Sequence, residues 1–173
     1  MRRFILTGAP GAGKTTLIQA LAARGHAVVE EAATDVNAEL LAEGIANPSA
    51  APDFIDRIVA YQRARRLDPD VALQFHDRSA ICTLALCRYL GLVEPASLTA
   101  ELAEVEGFYE RDVLFVDNLG FMTPTPVRRI SFEESLKFEA IHEAAYRELG
   151  YELLRVPRAT VEARVGLVER LAE

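Results

Sequence analysis

Eight residues near the start of the chain combine closely spaced glycines with a lysine and a hydroxyl side chain. They are Gly8, Ala9, Pro10, Gly11, Ala12, Gly13, Lys14 and Thr15. Glycines at these spacings let successive backbone N–H groups point inward at phosphate oxygens, while the lysine reaches the outer phosphates and the hydroxyl binds Mg²⁺. The pattern is that of a phosphate-binding loop, or P-loop. It predicts that these residues, with Thr16 after them, bind a nucleoside triphosphate.

The residues on either side of the loop predict the structure that this motif requires. An apolar run at 4–7 enters it, and a helical pattern at 17–22 leaves it and stops before Gly25. Strand, loop and helix then follow in order, and the helix N-terminus adds its unpaired N–H groups and its dipole to the anion site. The additional Gly11 is typical of small-molecule and nucleotide kinases. The chain has no Asn-Lys-x-Asp motif for guanine, so ATP is the predicted nucleotide.

Length and charge narrow the class of protein. The chain has 173 residues, half of them hydrophobic, and a net charge of −7, which predicts one domain over 1–173 and no nucleic acid or anionic membrane as main partner. A first strand at residue 3 leaves no room for a signal peptide, and no apolar run could span a bilayer. We therefore expect a cytoplasmic protein, whose oligomeric state the sequence leaves open. Cys82 and Cys87 are spaced for neither zinc nor a redox pair, which favours two core residues.

Strands and helices alternate along the chain, which predicts a parallel sheet covered by helices. The predicted strands are 3–7, 27–30, 71–76, 113–116 and 151–156, and the predicted helices are 14–24, 35–46, 54–67, 79–90, 98–106, 133–149 and 160–171. Ser131 and Glu134 have the spacing of a capping box. The expected fold is a three-layer α/β P-loop domain, with strand order 2-3-1-4-5 and a lid at about 118–132.

A pair of carboxylates follows the second predicted strand. In open α/β sheets, ligands bind beyond the carboxyl ends of the strands, where Glu30 and Glu31 stand. A carboxylate there could accept a proton from a substrate hydroxyl or hold a water on Mg²⁺. Glu31 is favoured because strand alternation would turn Glu30 against the sheet.

Two aspartates compete for the metal site. Asp77 follows the third strand with Arg78 directly after it, and Asp117 follows the fourth. Asp77 is favoured because Arg78 could neutralise a transferring phosphoryl group beside it. We expect Ser79 to cap the next helix and His76 to be a packed residue.

The remaining candidates are cationic or lie along one helix. Arg128 and Arg129, in the predicted lid, could close over phosphates, and Arg158 could support a nucleotide base. The helix at 54–67 offers possible substrate contacts, namely Tyr61, Gln62 and Arg65, and begins after Asp53 as its predicted cap.

With these motifs in hand, the chain resembles the P-loop nucleotide-kinase-like group of small AAA-domain proteins typified by the ribosylnicotinamide-kinase part of the NadR regulator. It is more distantly similar to thymidylate and deoxynucleoside kinases. The similarity spans nearly the whole chain and rests on the P-loop, Glu30-Glu31, Asp77-Arg78-Ser79, Arg128-Arg129 and the segment 146–165. It implies that Glu31 or Glu30 is the base for the accepting hydroxyl, and that Asp77 and Arg78 contact Mg²⁺ and phosphates.

Two functions of different class follow as hypotheses. The first is a kinase that transfers the γ-phosphoryl group of ATP, with Mg²⁺, to a hydroxyl of a small and possibly nucleoside-like metabolite. The second is a regulatory ATP-binding module that hydrolyses slowly and has a protein partner. The kinase predicts an acceptor pocket beside Glu31, whereas the module predicts an exposed apolar patch near the lid and no such pocket.

Overall fold

The computed structural model describes residues 1–66, 71–120 and 131–173, in which strands and helices alternate. In chain order the elements are β1 (Arg2–Thr7), α1 (Lys14–Ala23), β2 (Ala27–Val29), α2 (Ala32–Ala42), a 3₁₀ turn (Pro48–Ala50), α3 (Phe54–Arg66), β3 (Leu73–Asp77), α4 (Ala80–Tyr89), α5 (Ala96–Glu104), β4 (Asp112–Val116), α6 (Phe132–Glu148), β5 (Glu152–Val156) and α7 (Val161–Leu171). Within these ranges no helix is long and apolar enough to cross a bilayer.

The strands form one five-stranded sheet in the order β2-β3-β1-β4-β5. Every pair is parallel, with Ile5 opposite His76 and Leu6 opposite Leu114. The predicted fold class and strand order are confirmed. Because all the strands run the same way, their carboxyl ends lie at one edge, and the P-loop, Glu31 and Asp77 meet there.

Alternation along the strands divides the core into two apolar layers. Ile5 and Val113 face a layer that contains side chains from α2 to α6, whereas Phe4, Leu6 and Leu114 face a layer built with α1 and α7. Successive residues of a strand point to opposite faces, so each strand supplies both layers. The sheet is therefore covered on both faces, as the sequence predicts.

Element boundaries differ from the prediction in ways that have local causes. Helix α2 begins at Ala32 and not at 35, since Glu31 is its N-cap, and ends before Gly44, whose φ of 87° suits a helix end. Helix α5 begins directly after Pro95, because the fixed φ of proline suits a helix start. The capping box of Ser131 and Glu134 at α6 is confirmed.

Candidate active site

The P-loop connects β1 to α1 and is shaped by glycines. A Cβ at Gly8 would lie 2.3 Å from the carbonyl oxygen of Val116, and Gly13 has a φ of 85° as the N-cap of α1. A side chain at Gly8 would clash with this backbone oxygen, and the positive φ of Gly13 would strain any other residue. The loop therefore lies tightly against the end of β4, with the N-terminus of α1 behind it.

Lys14 is turned back into the loop. Its Nζ donates to the carbonyl oxygens of Gly8 at 2.9 Å and Ala9 at 2.8 Å, and the side chain is buried. Burial, with the nearby cation of Arg78, lowers the pKa of Lys14 to about 7. The phosphates of a nucleotide would place negatively charged oxygens beside this ammonium group, whose hydrogen-bond partners in the described residues are neutral carbonyls.

Glu31 and Arg78 come together as the sequence predicts. The Nε of Arg78 lies 2.5 Å from Oε1 of Glu31, and the Thr34 hydroxyl donates to Oε2 at 3.1 Å. Burial raises the pKa of Glu31, but the cations of Arg78 and Lys14 and the Thr34 bond outweigh it, so the net shift is downward. Glu31 is therefore ionised at neutral pH. The neighbouring Glu30 has an exposed side chain.

Arg78 adopts a backbone conformation that is rare for its type. Its φ is 73°, and its N–H donates to the carbonyl of Leu6 at 3.0 Å. A left-handed conformation in a residue other than glycine costs on the order of 1 kcal/mol, and such strain concentrates at functional sites. Here it directs the guanidinium toward Glu31 at the end of the sheet.

His142 is a residue of this site that the sequence analysis missed. Its Nδ1 lies 2.9 Å from the carbonyl oxygen of Phe138, to which it donates, so Nε2 accepts from Nη1 of Arg78 at 3.3 Å. Burial and the Arg78 cation lower the pKa of His142 to about 3. The ring is therefore neutral and positions Arg78. A single histidine within a long amphipathic helix carries no motif that could have revealed it.

The two candidate metal-binding aspartates have different environments. Oδ1 of Asp77 is buried without a hydrogen-bond partner in the described part of the chain, and burial raises the pKa of Asp77 to about 6. Lys14 is the nearby cation that lowers it most. Oδ1 of Asp117 likewise has no hydrogen-bond partner in the described ranges, but it lies 2.9 Å from Nε of Arg155 in an ion pair. The two aspartates thus differ in charge pairing: Asp117 has an ion-pair partner in Arg155, whereas Asp77 has none among the described residues.

A cavity of about 520 Å³ opens beside the P-loop, and the ion pair of Glu31 and Arg78 lies in its wall. Lys14, Thr15, Thr16, Glu31 and Arg78 line one end. The other end is lined by polar and aromatic side chains from α2, α3, α4 and α6, among them Asn37, Phe54, Gln62, Tyr89 and Phe138. The pocket that the kinase hypothesis requires is present next to Glu31.

Of the three predicted substrate contacts on α3, only Gln62 is among the residues that line this cavity. It accepts from the Thr83 hydroxyl at 3.0 Å. Tyr61 instead donates to Glu39, and Arg65 bonds to the Glu30 carbonyl and to Asp35. The interpretation of Tyr61 and Arg65 as substrate contacts is therefore wrong: they join α3 to the segment that begins at Glu30.

The remaining candidates are placed as follows. Ser79 is the N-cap of α4 but its hydroxyl bonds to Tyr146, 2.9 Å away, and not to the helix. The Asp53 carboxylate accepts from Arg57. His76 is packed against Tyr109, as expected, and both cysteines are buried.

Of the three predicted cationic ligands, Arg158 is the one that the structure describes. Arg158 is exposed after β5, and a Cβ at Gly120 would lie 3.1 Å from its Nη1. Arg128 and Arg129 lie outside the described residues, as does most of the predicted lid.

Comparison with known proteins identifies the family. A family model described as an AAA domain matches residues 3–164. The chain belongs to this AAA-domain family. None of the curated proteins compared with it matches. The matched range includes the P-loop, Glu31, Asp77 and Arg78.

Three of the solved structures that are similar to this AAA-domain protein are nucleotide or nucleoside kinases. Thymidylate kinase from Ehrlichia chaffeensis is 12% identical with a TM-score of 0.66, and the match covers 98% of both chains. Deoxyadenosine kinase from M. mycoides, solved with the products dCMP and a flexible dCDP, is 12% identical with a TM-score of 0.62, covering 98% of this chain and 97% of that one. Thymidylate kinase from Candida albicans is 11% identical with a TM-score of 0.61 and coverages of 98% and 90%. The fold is that of the P-loop kinases.

Proposed function

We propose that this protein is an ATP- and Mg²⁺-dependent phosphotransferase that acts on a hydroxyl of a small, nucleoside-like metabolite. The observation that carries the proposal is the single cavity that joins the P-loop to Glu31, Arg78 and an aromatic-lined end. A regulatory module would need the loop but not the second end. Phosphoryl transfer needs both, because donor and acceptor must be held in line.

The acceptor would occupy the end of the cavity that α3, α4 and α6 line. Phe54, Tyr89 and Phe138 offer aromatic surface, and the amides of Asn37 and Gln62 offer hydrogen bonds. Flat apolar walls with a few polar groups suit a planar heterocycle such as a nucleobase. The resemblance to ribosylnicotinamide kinases points to the same class of acceptor.

Each charged residue then has a role in phosphoryl transfer. Lys14 and the loop amides would bind the β- and γ-phosphates, and ionised Glu31 would orient the acceptor hydroxyl and take its proton. Arg78 would offset charge on the transferring group, joined by Arg128 or Arg129 from the lid, and Arg158 would lie against the base. Since the transition state is loose, positioning and electrostatics account for most of the rate.

The residues present also fit Mg²⁺. Thr15 lines the cavity with an exposed hydroxyl, and the buried Oδ1 of Asp77 has no partner in the described ranges. Hydroxyl and carboxylate oxygens are the ligands, direct or through water, that Mg²⁺ takes in proteins. When bound, the ion neutralises charge on the outer phosphates. We therefore assign the metal to Thr15 and Asp77, with Asp117 kept for its ion pair.

The proposal is tested by ADP release from Mg²⁺ and ATP across a panel of nucleosides, ribosylnicotinamide, sugars and pantothenate-like alcohols. We expect one class of acceptor to stimulate release, and Glu31→Gln to reduce the stimulated rate by about 10²- to 10⁴-fold. Glu30→Gln is the matched control: the same change at the adjacent, exposed position should leave the rate near that of the wild type. Tight ATP binding with slow release that no acceptor stimulates would instead indicate the regulatory module.

A further inference from the structure

Arg164 reaches from α7 to the back of the P-loop. Its side chain is 4% exposed. Nη1 donates to the carbonyl oxygen of Ala12 at 2.9 Å, and Nη2 donates to the carbonyl oxygen of Asp117 at 3.0 Å. One guanidinium thus joins the last helix, the P-loop and the residue that follows β4.

The bond to Ala12 fixes the direction of the next amide. The described peptide bonds are all trans, and in a planar trans peptide the C=O and N–H groups point in opposite directions. Because the Ala12 carbonyl faces Arg164, the Gly13 N–H faces away from it. Gly13 lines the cavity beside the P-loop. Its N–H is therefore held on the side where phosphates would bind.

The burial of Arg164 is costly for a purely structural contact. Both of its hydrogen-bond acceptors are neutral carbonyls, and Nε has no partner in the ranges that the structure describes. Burial lowers the pKa of Arg164, and Asp117 only partly opposes this. Apolar side chains of α7, Val165 and Val168, already pack that helix onto the sheet. A cation at this position stabilises an anion bound in the loop more than it stabilises the fold.

We propose that Arg164 is a positioning residue for nucleotide binding, which orients the Ala12–Gly13 peptide toward the phosphates and adds positive charge behind the loop. The inference rests on the nucleotide-binding step of the proposed function and not on the chemistry of the acceptor. It also explains the tight fit at Gly13, where a Cβ would lie 3.3 Å from Nη1 of Arg164.

The test is calorimetric binding of Mg²⁺–ATP and Mg²⁺–tripolyphosphate, with folding checked by circular dichroism. Tripolyphosphate has no base, so it reports on the loop alone. We expect Arg164→Met to weaken both ligands about tenfold or more, as for loss of a charged hydrogen bond. Arg164→Lys should cause a smaller loss of both, since an ammonium group lacks the fork that holds two carbonyls. Arg170→Gln, an exposed arginine of the same helix, should bind as the wild type does.

Wild-type affinity for both ligands in folded Arg164→Met would overturn the proposal. A loss for ATP but not for tripolyphosphate would also overturn it, because Arg164 would then act on the base. If Arg164→Met does not fold, the same criteria apply to Arg164→Lys, in which the Gly13 amide resonance should also shift. A wild-type protein that binds neither ligand would refute nucleotide binding itself, and this is seen before any substitution is made.

Discussion

Replacing Asp77 with asparagine should make the ligand-free protein more stable at neutral pH while removing its activity. Asp77 is 6% exposed, and its Oδ1 has no hydrogen-bond partner in the described residues. Burial raises its pKa from 3.8 to about 6, so the ionised carboxylate destabilises the folded protein at neutral pH. Asparagine has nearly the same shape and no charge. Its stability gain would show that the fold tolerates Asp77 for its chemistry.

The pKa shift sets the size and pH range of this effect. A rise from 3.8 to about 6, at about 1.4 kcal/mol per unit, gives an upper limit of about 3 kcal/mol at pH 7. This net shift already includes the attraction between Asp77 and Lys14. A buried asparagine amide also loses its hydrogen bonds to water, which leaves an expected gain of ~1–2 kcal/mol. Because folding raises the pKa of this acid, the contribution of Asp77 to the free energy of unfolding is favourable below pH 3.8 and is lost as the pH rises through 6. The difference between variant and wild type should therefore be near zero at pH 4 and reach its plateau above pH 6.5.

The assay is urea denaturation from pH 3.5 to 7.5 in EDTA, with Asp117→Asn as the matched control. Asp117 is paired with Arg155 and its side chain is 30% exposed, so its loss should cost about 0–1 kcal/mol and show no gain at any pH. If Asp77→Asn is less stable than the wild type at pH 7, the carboxylate has a stabilising partner and the reasoning fails. Retention of acceptor-dependent ADP release by the same variant would refute the assignment of Asp77 to the metal.

Other perturbations test different parts of the site. Lys14→Ala should abolish Mg²⁺–ATP binding, measured by calorimetry, with no loss of unfolding free energy, because burial already lowers the pKa of Lys14 to about 7; unchanged binding would remove the P-loop assignment. His142→Leu should lower kcat about tenfold or more by releasing Arg78, whereas His142→Gln, which keeps an acceptor, should recover most of kcat; equal rates for the two variants would contradict a positioning role. His76→Gln should make the unfolding free energy less dependent on pH at acid pH. Burial lowers the pKa of His76 to about 4, so the unfolding free energy of the wild type falls by up to about 1.4 kcal/mol per pH unit as the pH drops from 6.5 toward 4. The same pH dependence in wild type and variant, measured by urea titration, would contradict this.

Sequence patterns predicted the fold because they act locally. Apolar runs, the capping box at Ser131 and the glycines of the P-loop are each determined by a few neighbouring residues. Alternating strands and helices then leave few ways to build a parallel sheet. Helix boundaries were less well predicted: α2 was expected to begin at 35 but begins at Ala32, directly after Glu31 at the N-cap position.

The partners of the charged residues depend on long-range geometry. Glu31 and Asp77 could be proposed because they follow strands, and strand ends converge at one edge. His142 and Arg164 could not, because each lies on a helix whose own pattern is only amphipathic and contacts a residue that is distant in the sequence. The same limit explains the errors at Tyr61 and Arg65: their place on α3 was predicted, but which neighbouring helix they contact was not.

The ligand-free site holds several charges in unfavourable surroundings at once. Among the described residues, Lys14 has only carbonyl oxygens as hydrogen-bond partners, Oδ1 of Asp77 is buried without one, and Arg164 lies behind the loop against neutral acceptors. Arg78 and Glu31, in contrast, neutralise each other directly. A polyphosphate with Mg²⁺ would improve the surroundings of Lys14, Asp77 and Arg164 together, since it brings negative charge to the cations and positive charge to the carboxylate. Such pre-set charges do not have to reorganise during the reaction, which is how an enzyme site stabilises a transition state better than water does.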